Sequence, residues 1–183
     1  LPEQRAAFPH HRQFEQDERT FLREEIARRL KDGCFVALEP ERAVLLNPLG
    51  VVRKSSGAFR FILDGRALSP NVASMRFRLE GVETAIRLVT RKCWFVRLDL
   101  TDAYFHCGLH PRSWPLFAFL FEGTTYASTV LPFGFSQSPF LFSKIVKQLI
   151  AFLRAIGIVA TNFLDDLLLI AQSEEEAKAL AKF

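Results

Sequence analysis

Cysteine is scarce in this chain of 183 residues, and the three present, Cys34, Cys93 and Cys107, lack metal-ligand spacing. An odd, scattered set excludes a disulfide framework and a closed zinc site. It fits buried, reduced thiols in an intracellular protein. Long apolar runs are missing as well. The longest, "IVKQLIAFLRAIGIVA", is broken by Lys147 and Arg154. It falls short of the roughly 20 residues a membrane-spanning helix needs, so no membrane span is expected. Signal-peptide patterns, repeats and low-complexity segments are also absent. The chain starts at Leu1 rather than Met, as a processed protein or an excerpt of a longer one would.

What the chain does have is apolar mass: 49% of its residues are hydrophobic, with 19 Phe against 2 Tyr and 2 Trp. That is enough for a substantial core in one domain or slightly more. The net charge of +4 is carried mainly by Arg. A mildly basic, Arg-rich balance fits a polyanion partner without requiring one.

Residues 1–18 are mostly polar, punctuated by Pro2 and Pro9 with His10 and His11 directly after the second proline, and read as an extended or disordered arm. A helix follows, with Thr20 as N-cap, Leu22, Ile26 and Leu30 on one face, and Gly33 as the stop. "CFVAL" reads as a strand. Residues 44–63 read as two β-runs around the turn "KSSG", in which Gly57 supplies the free φ. Arg53, Lys54 and Arg60 flank that turn, either as a surface for phosphates or as an ordinary solvated hairpin. A short helix covers 82–90, and the alternation in "WFVRLD" makes a strand ending at Asp99. Two further strand-like runs, "PLFAFLF" and "TYASTVLPF", surround Gly123. A long helix begins with Ser138 as N-cap and Pro139 at N1 and ends near Gly157. Its polar stripe of Lys144, Lys147, Gln148 and Arg154 suggests a wide buried face and a narrow basic edge. "IVATNFL" and "LLLIAQS" form a tight hairpin, and Ser173 with Glu176 opens a last helix through a capping box. The order predicts an α+β fold with helices on one face of an antiparallel sheet.

The chemistry lies in the carboxylates. Asp165 and Asp166 interrupt an apolar run, and Asp99 closes a strand that could lie beside them. Three carboxylates at neighbouring strand ends repel one another unless a cation compensates. Mg²⁺ suits oxygen ligands and leaves room for substrate phosphates, and two such ions support in-line phosphoryl transfer. A solvated Asp-Asp turn is the plainer reading, but it needs no "NFL" before it or "LLLIA" after it. His106, Cys107 and His110 are weakly metal-like and fit a strand end and loop better.

Four stretches, in order, resemble the reverse transcriptases. "VRLDLTDAYFHCGL" is similar to their first catalytic motif. "LPFGFSQSP" is similar to the strand-to-helix turn near nucleotide and template, and "FLDD" to "YxDD". "VVRKSSGAFRFILDGRALS" is similar to the fingers hairpin with its "D-x-R-x-L" signature (Asp64, Arg66, Leu68). The upstream "LREEIARRLKDGCF" resembles the helix before the fingers. The resemblance implies Asp99, Asp165 and Asp166 as catalytic, metal-binding residues for two Mg²⁺ ions. It implies Arg53, Arg60, Asp102, Ala103, Tyr104, Phe133 and Gly134 on the nucleotide side, with Tyr104 as the ring that excludes a ribose 2′-hydroxyl. Phe163 takes the primer-side place of the usual Tyr, keeping the ring and losing the hydroxyl. Ser69 stands where Asn is usual, and Arg53 where Lys is common.

The implied architecture is a palm-type antiparallel sheet with helices on one face plus a fingers hairpin, the thumb absent. The implied division is an arm (1–18), a fingers-like region (19–92) and a truncated palm-like region (93–183), of retrotransposon-like character. Two functions follow. One is an RNA-directed DNA polymerase that uses an RNA or DNA template, a primer and deoxynucleoside triphosphates, completed by further C-terminal domains or protein partners. The other is a domesticated, non-catalytic relative serving as a structural subunit of a larger protein or ribonucleoprotein assembly.

Overall fold

The computed structural model describes residues 6–7, 13–73 and 75–182, so His10 and His11 lie outside the described residues. The chain divides into two compact units that interleave along the sequence. Unit 1 comprises Leu1–Ser74 with Tyr104–Ser138, and unit 2 comprises Met75–Ala103 with Pro139–Phe183.

In unit 1, strand β1 (Ala6–Ala7) precedes helix α1 (Gln16–Lys31). The helix starts earlier than Thr20: Glu15 is its N-cap, and the Glu18 carboxylate accepts a hydrogen bond from the Glu15 N–H at 3.1 Å. Local carboxylate capping extends the helix into what composition alone suggests is an arm. Leu22 and Ile26 are buried, and Gly33 leaves the helix at φ +72°. The strands β2 (Phe35–Ala37), β3 (Leu45–Leu46), β4 (Leu49–Arg53) and β5 (Phe59–Leu63) follow. β4 and β5 form the expected antiparallel hairpin around Gly57, φ +85°. The Asp64 side chain accepts from the Arg66 backbone N–H and guanidinium, which closes the turn after β5.

The core of unit 1 explains the Phe content. Phe35, Phe61 and Phe119 meet pairwise at centroid separations of 5.2–5.5 Å, in tilted and edge-on arrangements favoured by ring quadrupoles.

Unit 2 begins its regular structure with helix α2 (Val82–Leu88) and strand β6 (Trp94–Asp99). Unit 1 resumes with β7 (Ala118–Phe121) and β8 (Thr124–Ser128), which complete a five-stranded sheet of order β1-β3-β7-β8-β2. Helix α3 (Ser138–Ala155) follows. The helix begins at Ser138 itself rather than after it, and the Ser138 hydroxyl donates to the Pro132 carbonyl at 2.8 Å.

The strands β9 (Val159–Phe163) and β10 (Asp166–Ala171) and helix α4 (Glu174–Leu180) complete unit 2. Its sheet is antiparallel, of order β6-β10-β9. The expected Ser173 cap of α4 is present, the Ser173 hydroxyl accepting from the Glu176 N–H at 3.1 Å.

α3 buries Phe142, Val146, Ile150 and Leu153, as its periodicity requires. Its other face is not the narrow basic edge expected. Leu141, Ile145, Leu149, Phe152 and Ile156 are 38–54% exposed in a continuous stripe. Two apolar stripes on one helix leave periodicity unable to say which is covered. The cysteines also differ from expectation: Cys107 is buried, whereas Cys34 and Cys93 are half-buried.

Candidate active site

The acidic pair sits at the tip of the β9–β10 hairpin. Phe163 is the cross-strand partner of Asp166, so Leu164 and Asp165 form a two-residue loop. Leu164 has φ +54°, a left-handed conformation that an L-leucine adopts only at a cost. Two contacts hold it there. The Asn162 side-chain amide donates to the Leu164 carbonyl at 3.0 Å, and the Leu100 N–H donates to the Asp165 carbonyl at 3.2 Å.

Strand register does the rest. Asp99 is the direct cross-strand partner of Asp166, so Asp99, Asp166 and Phe163 form one row on one face of the sheet. The next row on that face is Arg97, Leu168 and Thr161. Like charges directly opposite each other destabilise a sheet pair. Arg97 relieves this diagonally: its Nε and Nη2 both donate to Oδ1 of Asp166, at 3.0 and 2.8 Å. The bond to Asp166 and that residue's charge hold the Arg97 guanidinium above its ordinary pKa, with Asp99 adding to the effect.

Among the described residues, no three His, Cys, Asp or Glu side chains are gathered tightly enough to hold a metal ion. The expected three-carboxylate corner is therefore present as an opposed pair, Asp99 and Asp166, with Asp165 in the adjoining loop. The pair fits a hard divalent cation in donor chemistry, being all oxygen, and Asp99 is exposed.

Beside the hairpin, Glu80 accepts from the Arg154 guanidinium at 2.7 Å and from the Thr161 hydroxyl at 2.6 Å. Burial pushes the Glu80 carboxyl up, but these bonds outweigh it and hold the group below its usual value. A cavity of about 200 Å³ lies here, lined by Glu80, Val82, Ala85, Arg97, Phe163 and Asp166 among others.

The nucleotide-side candidates fall mostly in unit 1. Tyr104 and Phe133 are in ring contact at 4.7 Å, and the Arg60 guanidinium lies 5.1 Å from the Phe133 centroid. Arg53 does not join them. The β4–β5 register pairs it with Phe59 while Arg60 pairs with Val52, which puts the two arginines on opposite faces of the hairpin. Arg53 lies over the Phe59 ring and bonds Asp17 at 3.1 Å. Gly134 has a packing reason of its own: at φ +104°, a Cβ there would meet the Leu63 carbonyl oxygen at 2.2 Å. Asp102 and Ala103 belong to unit 2, Asp102 with φ +54° and Ala103 buried.

Sequence reasoning missed Arg97, Asn162 and Glu80. Arg97 carried a usable signal, since a residue two before Asp99 on a strand must share its face. His110 takes up a loop role, its Nδ1 accepting from the Arg112 N–H at 3.2 Å, and burial raises the Cys107 thiol.

Known proteins resemble this chain in sequence and in fold. The sequence profile described as "Reverse transcriptase (RNA-dependent DNA polymerase)" matches residues 52–183. The chain is 32% identical over 154 residues to the Gag-Pro-Pol polyprotein of human T-cell leukemia virus 2, covering 79% of this chain and 10% of that one. It is 38% identical over 103 residues to the Gag-Pol polyprotein of walleye dermal sarcoma virus, covering 55% of this chain and 6% of that one. The chain thus spans a tenth or less of these relatives.

Solved structures are similar as well. Prototype foamy virus protease-reverse transcriptase aligns with a TM-score of 0.79 at 22% identity, over 95% of this chain and 22% of that one. The foamy viral protease-reverse transcriptase dRH in complex with ds DNA aligns with a TM-score of 0.79 at 25% identity, over 97% of this chain and 33% of that one.

Proposed function

The chain belongs to the reverse transcriptase (RNA-dependent DNA polymerase) family, as a fingers/palm region, and from that premise we propose that it supplies the catalytic site of an RNA-directed DNA polymerase. In this reading a primer 3′-hydroxyl attacks the α-phosphorus of a deoxynucleoside triphosphate and pyrophosphate leaves. The observation that carries it is the register opposing Asp99 to Asp166 at the tip of a strained hairpin. The relatives' likeness supports the substrate class, one of the similar structures being a complex with double-stranded DNA.

Asp99 and Asp166 would hold Mg²⁺, with Asp165 completing the ligand set. Bound Mg²⁺ supplies activation of the attacking hydroxyl and stabilisation of the leaving group's charge. The chain's own residues orient and select. The Asn162 bond and the Leu164 conformation shape the turn that carries Asp165 and Asp166. Phe163, on the same row as the carboxylates and 56% exposed, offers a ring to the primer end. Arg60 offers a cation to phosphate from the face that carries Phe133. Tyr104, held against Phe133, is the candidate for excluding a 2′-hydroxyl.

Primer extension by the full-length protein tests this. Asp166→Asn, which keeps shape and removes charge, should lower turnover by roughly a hundredfold or more, the scale of losing a transition-state electrostatic partner. Unchanged extension would instead favour a non-catalytic structural subunit.

A further inference from the structure

The geometry points to Arg97 as a positioning residue that competes with a divalent cation for Asp166. The inference rests on the carboxylate reading above and goes beyond it. Arg97 precedes Asp99 by two residues on β6 and therefore shares its face. Directly across from Arg97 is Leu168, which offers no charge, so its guanidinium reaches diagonally to Asp166. Both of its bonding N–H groups converge on one oxygen, Oδ1. Oδ1 of Asp166 is thereby engaged by both guanidinium bonds.

A cation shared between Asp99 and Asp166 must occupy the same field that Arg97 neutralises. Full coordination through Oδ1 and two guanidinium bonds to Oδ1 exclude each other. The Arg97 side chain is 72% exposed, so it can leave without unpacking anything. Arg97 therefore does two things: it offsets the repulsion of the opposed carboxylates, and it weakens their affinity for metal.

The test is calorimetric titration of Mn²⁺ into the full chain at fixed pH, comparing wild type with four variants. Arg97→Gln should tighten the dissociation constant by roughly three- to tenfold, the effect of removing a unit charge several ångströms from a divalent ion at moderate salt. Arg97→Lys, which keeps the charge, should stay within about twofold of wild type. Arg91→Gln, a charge removed elsewhere in unit 2, should change nothing. Unchanged or weaker binding by Arg97→Gln overturns the inference, and so does an equal gain from Arg91→Gln.

Asp99→Asn separates the two levels. If it weakens Mn²⁺ binding while Arg97→Gln does not tighten it, competition fails and the carboxylate reading stands. If it leaves binding unchanged, both fail. Circular dichroism melts without Mn²⁺ should show Arg97→Gln folded but less stable than wild type, a loss that saturating Mn²⁺ restores. A melt that Mn²⁺ does not restore counts against the inference.

Discussion

At the scale of single residues, Leu164 and Asn162 decide whether the acidic pair is usable. A leucine at positive φ persists only when its surroundings over-determine it, and the Asn162 amide bonded to the Leu164 carbonyl is part of that constraint. Asn162 is 8% exposed, so Asn162→Ala should cost about 1–2 kcal/mol in chemical denaturation. It should lower extension rate more than that loss explains, because the turn carries Asp165.

Glu80 gives a pH signature. Its folded pKa is depressed, so its contribution is present above the unfolded value and is lost as pH falls through the folded one. Stability should therefore drop on acidification below about pH 5, where carboxylates begin to protonate. Glu80→Gln should flatten that drop, as read from thermal midpoints across pH.

The residue scale is also where the sequence was least informative. Asp99 and the Asp165–Asp166 pair were legible from motif and flanks. The separation of Arg53 from Arg60 was not, because both flank one turn and only the strand register assigns them to faces.

At the scale of elements, periodicity served well where one face was apolar. β6, β9, β10 and the β4–β5 hairpin fall where alternation and turn residues predict them. It failed at the start of α1, where capping by Glu15 and Glu18 outweighed a polar composition, and on α3, where two apolar stripes compete.

The exposed stripe on α3 makes a direct expectation. Ile145 and Phe152 are each 54% exposed, so Ile145→Lys and Phe152→Lys should change unfolding free energy by no more than about 0.5 kcal/mol each. They should also reduce self-association by light scattering, because a contiguous apolar patch is removed.

The turn at Gly134 predicts the opposite sensitivity. An added Cβ meets backbone rather than a movable side chain. Gly134→Ala should cost about 3 kcal/mol or more in denaturant titration, the scale of overpacking combined with backbone strain.

At the scale of the whole molecule, the chain is built from two units that interleave along the sequence. Unit 2 carries Asp99, Asp165 and Asp166, and unit 1 carries the Arg60–Phe133–Tyr104 cluster. Among the described residues, no helix is long and apolar enough to cross a membrane.

The central claim is that Asp99 and Asp166 act as one site. It is tested most directly by a double-mutant cycle in single-nucleotide incorporation by the full-length protein. Wild type is compared with Asp99→Asn, Asp166→Asn and the pair. Residues that share a bound cation are non-additive, so each single variant should lose roughly a hundredfold or more and the double variant little beyond the worse single. Losses that multiply, or a single variant that retains wild-type incorporation, would contradict the claim.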